Sequence, residues 1–238
     1  MSMAAGQHNR KKLIKFLGWQ PMFSSAIFFI LFVLIFFGNF KGAAGASSST
    51  PAIIAKKTIL QSVPFTSQSP LGEWLDERQQ DGCEEAVSLM AMAWVKKEPS
   101  MEAKVWREKI LTLSDFEQKK YGEYRDTSLS DIVDRIFKDY FSYDRVKIKS
   151  IDSVDDIILE LEAGRLVLIP ANGQALHNPN FKAPGPERHM VLIKGYDYQT
   201  EEFITNDPGT RKGENYRYPK DIIFTAIRPY KTGYHEEF

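Results

Sequence analysis

The chain contains one cysteine, Cys83, and four histidines, and a thiol paired with an imidazole is the smallest set of side chains that performs nucleophilic acyl transfer. A thiol becomes a nucleophile when its thiolate is stabilised, and a helix N-terminus does this through its positive dipole end and its unpaired amides. Ala86, Val87, Met90, Ala91, Trp94 and Val95 recur at helical spacing, which predicts a core helix beginning at Cys83 with Asp81-Gly82 as its cap. Glu84 and Glu85 add negative charge beside the thiol, which opposes thiolate formation. The plain alternative is a buried, inert cysteine on the apolar face of that helix.

Of the histidines, His177, His189 and His235 lie beyond the N-terminal segment. His189 opens the apolar run Met190-Val191-Leu192-Ile193, so a rigid strand would fix its ring. His177 falls in a Pro/Asn/Gly loop and His235 in the C-terminal tail. The following strand, around Phe203-Ile204-Thr205, leads into Asn206-Asp207-Pro208-Gly209. On adjacent antiparallel strands the end of the second lies beside the start of the first, so Asp207 is the candidate to hold His189 in one tautomer. The plain alternative is a turn, because Asn-Asp-Pro-Gly is turn chemistry in its own right. An acyl-transfer site also needs donors for the developing oxyanion. Gln68, Gln79 and Gln80 are candidates between which spacing does not choose.

The elements that must carry these residues follow from the patterning. Ile59 to Phe65 reads as a short extended piece. Amphipathic helices are marked by Val105, Trp106 and Ile110, by Leu129, Ile132, Val133, Ile136, Phe137 and Tyr140 behind Ser128-x-x-Asp131, and by Val154, Ile157, Ile158 and Leu161. Gly164 ends the last of these. Leu166 to Ile169, His189 to Tyr196 and Glu202 to Thr205 read as strands. Helices lead and strands follow, which predicts an α+β domain with helices packed on an antiparallel sheet rather than a βαβ repeat.

Four stretches in order, Val63-Pro64-Phe65-Thr66-Ser67-Gln68, Asp81-Gly82-Cys83-Glu84-Glu85-Ala86, His189 to Asp197, and Asn206-Asp207-Pro208-Gly209-Thr210, resemble the peptidase family thirty-nine-like papain-fold domains of bacteria. These are relatives of the bacteriocin leader peptidases that cut after a double glycine. The likeness runs from about Ile59 to Ile227. It implies a papain-like α+β fold in which Cys83 is the nucleophile, His189 the general base, Asp207 the carboxylate that orients it and Gln68 the oxyanion donor, with Gln79 and Gln80 secondary. The implied activity is hydrolysis of peptide bonds in a peptide or protein substrate through an acyl-enzyme, with no metal and no organic cofactor. The rival expectation is a non-catalytic domain of the same fold that holds peptides or cell-wall fragments at a membrane surface.

Composition removes several other classes. Lys plus Arg and Asp plus Glu number 31 each, so there is no basic field for nucleic acid. One cysteine forms no intramolecular disulfide and no Cys-rich zinc site. No GxxxxGK[ST] loop occurs, so neither a nucleotide partner nor a fused transporter ATPase is indicated.

The 238-residue chain is expected to divide into a membrane-targeting segment (1–41), a Gly/Ala/Ser/Thr-rich linker (42–55), a peptidase domain (56–230) and a tail (231–238). Met22 to Phe37 is almost wholly apolar, preceded by Arg10, Lys11, Lys12 and Lys15 and followed by Lys41. The positive-inside rule then places the remainder outside the cytoplasm. An apolar length of about 16 residues suits both a long signal-peptide core and a short transmembrane helix. Ala44-Gly45-Ala46 supplies a cleavage pattern, so both a cleaved signal peptide and a retained anchor are consistent with the sequence.

Overall fold

The structure, a computed structural model, describes residues 11–16 and 56–233. The apolar run Met22–Phe37, the Ala44-Gly45-Ala46 pattern and His235 lie outside the described residues.

The strands are β1 (Lys11–Phe16), β2 (Ile59–Leu60), β3 (Val146–Ile151), β4 (Val167–Ala171), β5 (His189–Asp197), β6 (Glu202–Asn206) and β7 (Tyr216–Pro219). They form one sheet in the order β3-β1-β4-β5-β6-β7, with β2 also paired to β5, and every pairing is antiparallel. The helices are α1 (Glu77–Gln80), α2 (Cys83–Lys96), α3 (Ala103–Tyr121), α4 (Leu129–Asp131), α5 (Val154–Glu162) and α6 (Lys220–Ala226).

Helices cover both faces of the sheet. On one face α2, α3 and the segment from Leu129 to Phe137 pack against Ile14, Phe16, Val146, Leu168, Met190 and Leu192. On the other, α5 and α6 pack against Leu13, Val167, Ile169, Val191, Ile193 and Phe203. Successive strand residues point to opposite faces, so a strand covered on both sides is apolar throughout. β5 is accordingly buried at all nine positions.

The helix expected at Cys83 begins there and runs to Lys96, its end marked by Lys97 in the left-handed region. Gly82 joins it to α1, and a Cβ at that position would stand 2.5 Å from the Arg78 carbonyl oxygen. Only glycine lets the two helices meet so closely. Ser153 and Asp156 form a capping box at the start of α5, and Gly164 follows its end at φ 71°. Behind the Ser128 cap, α4 continues as a π-helical stretch over Ile132–Tyr140, where the Phe141 amide reaches back to the Ile136 carbonyl. The buried residues Ile132, Val133, Ile136 and Phe137 are those expected of its apolar face.

The expectation that the folded part begins near Lys56 is corrected. Lys11–Phe16, placed by the sequence reading in the membrane-targeting segment, is a strand inside the sheet, paired along its length with β3 and at Ile14 and Lys15 with β4. Leu13, Ile14 and Phe16 have no exposed surface. Two lysines of the strand have places of their own. Lys15 meets Glu160 of α5 at 3.4 Å, and the Lys11 ammonium donates to the Ile227 carbonyl at 3.0 Å. No helix among the described residues is long and apolar enough to cross a membrane.

Because Ile14 is buried between the sheet and α2, Ile14→Ala in the full chain should lower stability by roughly 2–5 kcal/mol, the usual range for emptying a buried isoleucine site. Urea unfolding is the measurement. A change below about 0.5 kcal/mol would remove β1 from the folded domain.

Candidate active site

Cys83 is the first residue of α2, and the first intrahelical bond runs from the Ala86 amide to the Gly82 carbonyl. The amides of the opening turn therefore lack carbonyl partners within the helix. Cys83 is 6% exposed and stands in the wall of an open cleft of about 1130 Å³ that His189, Gln68 and Gly209 also line. The rim carries Trp74 and Leu75, the latter fully exposed at 100%.

In the same cleft, His189 opens β5, and Asp207 follows the end of β6. The His189 Nε2 and Asp207 Oδ1 atoms are 2.8 Å apart. Asp207 has no exposed surface, and its carboxylate collects further donors. The Gly209 amide donates to Oδ1 at 2.9 Å, and the Tyr218 hydroxyl and the Asn178 amide donate to Oδ2 at 2.5 and 3.4 Å. Burial by itself would raise the Asp207 carboxyl. The His189 charge and these hydrogen bonds outweigh burial and hold it below the usual carboxylate range. An ionised Asp207 can only accept, so Nε2 carries a proton, and in the neutral imidazole Nδ1 is the basic nitrogen. Phe181 sets its ring edge-on to His189 at 5.3 Å. A Cβ on Gly209 would lie 2.9 Å from His189 Cε1, so glycine is what allows the turn to approach the ring.

Gln68 is joined to the same turn, since its backbone amide donates to the Pro208 carbonyl at 2.9 Å. Its side-chain amide, the expected oxyanion donor, is engaged by two backbone carbonyls. The side-chain nitrogen donates to the carbonyls of Gln79 at 3.1 Å and Gln80 at 2.6 Å, which uses both of its N–H groups. Turning the amide over would set its oxygen against two carbonyls, so this orientation follows from the chemistry of the partners. Gln68 braces the backbone ahead of Cys83. Gln79 is itself buried and donates to Glu73 at 3.0 Å, whereas Gln80 is exposed and lines the cleft. His177 is exposed and is not among the residues lining the cleft.

The charge noted beside the thiol has a definite place. The Cys83 thiol donates to Glu84 Oε2 at 3.0 Å, and the Tyr230 hydroxyl donates to Glu84 Oε1 at 2.5 Å. Burial, then the Glu84 charge, push the Cys83 thiol well above its ordinary value. Burial also raises Glu84, to about 7, against the hydrogen bonds from Cys83 and Tyr230. Behind them Glu85 receives the Ser114 hydroxyl at 3.0 Å, and Glu117 of α3 receives Thr127 at 3.4 Å. Each of these two carboxyls keeps one buried oxygen without a hydrogen bond. Burial and then the Glu117 charge raise Glu85, while burial and then the Glu84 charge raise Glu117 to about 8. Sequence adjacency showed the charges but not their burial. Among the described residues no cluster of His, Cys, Asp and Glu is disposed to hold a metal ion.

A cysteine at the head of a helix and a histidine at the head of a strand in an antiparallel sheet, both lining one cleft, define a papain-like α+β domain of the cysteine-peptidase type. A family model described as Peptidase_C39 like family matches residues 60–232. The chain belongs to this peptidase C39-like family. No curated protein and no solved structure matches it.

The carboxyls under α2 make stability pH-dependent in a fixed sense. Folding raises Glu84, Glu85 and Glu117 above an unfolded value of about 4.3. Their contribution is therefore full below that value and is lost as pH rises towards about 8. The melting temperature should be higher at pH 5 than at pH 8.5, and Glu117→Gln should flatten the difference. Thermal unfolding followed by circular dichroism checks this, and a melting temperature that rises across that window would contradict it.

Proposed function

We propose that the chain is an active cysteine peptidase in which Cys83, His189 and Asp207 work as one unit. The observation that carries this reading is the hydrogen bond from His189 Nε2 to the buried Asp207, which leaves Nδ1 free beside a cleft that Cys83 also lines. His189 takes the thiol proton, and the thiolate attacks the carbonyl carbon of the scissile amide. The oxyanion is met by the Cys83 amide at the positive end of α2. His189 then returns the proton to the leaving amine, and water hydrolyses the thioester. The same steps support transfer of the acyl group to an amine in place of water. Gln68 acts as a positioning residue through the Gln79 and Gln80 carbonyls. The substrate class is a peptide or protein, whose extended backbone suits an open cleft with an apolar rim at Trp74 and Leu75.

One observation favours a second reading. The hydrogen bond from Cys83 to Glu84 holds the nucleophile as a neutral thiol, as a non-catalytic peptide-binding domain of this fold also could.

We also propose that the domain acts outside the cytoplasm, either anchored through the N-terminal segment or released after cleavage. The support is the basic start, the apolar run and the Ala44-Gly45-Ala46 pattern. A single crossing between Phe16 and Lys56 would put β1 on the opposite side of the membrane from β3 and β4. An exported domain therefore lacks the β1 pairing.

Turnover of a fluorogenic peptide library tests the catalytic reading. Cys83→Ala should abolish it, and His189→Ala should reach nearly the same floor. Asp207→Ala should keep partial activity, since Asp207 orients the ring without transferring the proton. His177→Ala should change little. Alkylation of Cys83 at mildly acidic pH should be lost in His189→Ala, and equal profiles in the two proteins would favour the binding domain.

A reporter enzyme active only in the cytoplasm, fused after Thr50, tests location. Export predicts silence. Strong activity would refute export and leave a chain with β1 in its sheet.

A further inference from the structure

Glu84 is the side chain in contact with the reacting sulfur, and the mechanism above gives it no task. Its Oε2 accepts the Cys83 thiol proton at 3.0 Å, and its Oε1 is held by Tyr230, which reaches the site from the C-terminal segment. That segment is itself fastened. The Arg228 amide donates to the Pro170 carbonyl, the Ser128 amide donates to the Thr232 hydroxyl at 2.9 Å, and that hydroxyl donates to Asp131. Glu84 therefore does not swing freely. It is clamped between a phenol and the nucleophile with 1% of its surface exposed.

A buried carboxylate beside a thiol has two electrostatic states. Ionised, it accepts the S–H and opposes the second negative charge that a thiolate would bring. Protonated, it presents an O–H that can donate to sulfur, and the repulsion is gone. We propose that Glu84 is a catalytic residue that holds Cys83 as a neutral thiol while ionised and releases it to His189 when protonated. The step balances simply. Glu84 takes one proton from solvent, and the thiol proton then moves from Sγ to His189 Nδ1, giving a thiolate and an imidazolium beside a neutral carboxylic acid.

The other ionisable groups near Glu84 set the pH at which this happens. Glu85 lies beside it on α2, Glu117 faces it from α3, and Asp126 approaches from the loop before α4 with its charge paired to Arg188 at 2.8 Å. Tyr230 comes from the C-terminal segment, and His189 lines the cleft with Cys83. Burial, and after it the Asp126 charge, favours the proton on Glu84. The hydrogen bonds from Cys83 and Tyr230 favour its absence, and the balance stands at about 7. The release thus falls in the mildly acidic to neutral range.

This proposal rests on the peptidase reading for its biological sense, but its test does not require turnover. The second-order rate of Cys83 alkylation by iodoacetamide is measured from pH 5 to 9 in the full-length protein, Glu84→Gln and Tyr230→Phe. In the parent protein the rate should fall as pH rises through about 7, then climb again in the alkaline range. Glu84→Gln should lose the fall and react about tenfold faster at pH 8, because a neutral amide of the same shape removes the charge beside sulfur. Tyr230→Phe removes a donor to the ionised carboxylate, so the fall should move upward by about one pH unit. If Glu84→Gln were slower at every pH, Glu84 would be a base that assists thiolate formation and the proposal would be overturned. A Glu84→Gln profile identical to the parent, or a Tyr230→Phe fall moved to lower pH, would overturn it equally. An altered profile without peptide turnover in the parent would sink the peptidase reading alone. Turnover with an unaltered profile would sink the Glu84 proposal alone.

Discussion

A carboxylate with no exposed surface must be given donors, and Asp207 draws them from four parts of the chain. His189 comes from the start of β5, Tyr218 from β7, Asn178 from the loop after β4, and the Gly209 amide from its own turn. Removing any of these strands or loops would leave a buried charge short of a partner. The order β5-β6-β7 brings three of the groups together, and the Asn178 amide also donates to the Tyr218 hydroxyl at 2.7 Å, which closes the network. Once Asp207 is satisfied, the orientation and tautomer of His189 follow. Even Gln68 depends on the same turn, through its backbone bond to Pro208.

The two sides of the cleft treat acidic groups in opposite ways. Asp207 is as buried as any of the described residues, yet donors on both oxygens hold it ionised. Under α2 the carboxyls of Glu84, Glu85 and Glu117 have few donors, the Arg135 charge offsets burial at Glu117 only in part, and all three are held towards the neutral form. The difference is one of hydrogen-bond supply rather than depth. Environments that push neighbouring acids apart in this way let one site contain both a fixed charge and a group that takes up and gives back a proton near neutrality.

Much of this was legible in the chain. The start of α2 at Cys83 could be read because six apolar residues recur at helical spacing behind Asp81-Gly82. β5 could be read because a strand covered on both faces is a continuous apolar run, and α5 because Val154, Ile157, Ile158 and Leu161 recur at helical spacing and Gly164 ends it. The pairing of His189 with Asp207 followed from two consecutive strands with a turn after the second. Other features leave no local mark. β1 has lysines at half of its positions, since its polar residues find partners on neighbouring elements, and the apolar run beyond it dominates any reading of that region. β7 has only four residues, with one deeply buried tyrosine. The direction of the Gln68 amide depends on carbonyls about ten residues away along the chain, and no spacing encodes that. Glu84 and Glu85 could be read as charge beside the thiol but not as buried, because acidic residues favour the first turn of a helix wherever it lies, whereas α2 is buried on all sides over its first eleven residues.

β1 also bears on the order in which the domain can assemble. It is the first described strand in the chain but sits inside the sheet, with Lys11 opposite Ile151 and Lys15 opposite Val167. Both of its neighbours are made only after most of the domain has left the ribosome, so Leu13, Ile14 and Phe16 stay unshielded through most of synthesis. Closing contacts over such a separation is slow, because loop entropy must be overcome before any pairing stabilises the chain. Until β1 docks, β3 and β4 each present an open strand edge, the feature that most readily recruits a second nascent chain. With β1 in its sheet, folding of this domain is a late, whole-chain event, and the interval before β1 inserts is its period of greatest exposure to aggregation.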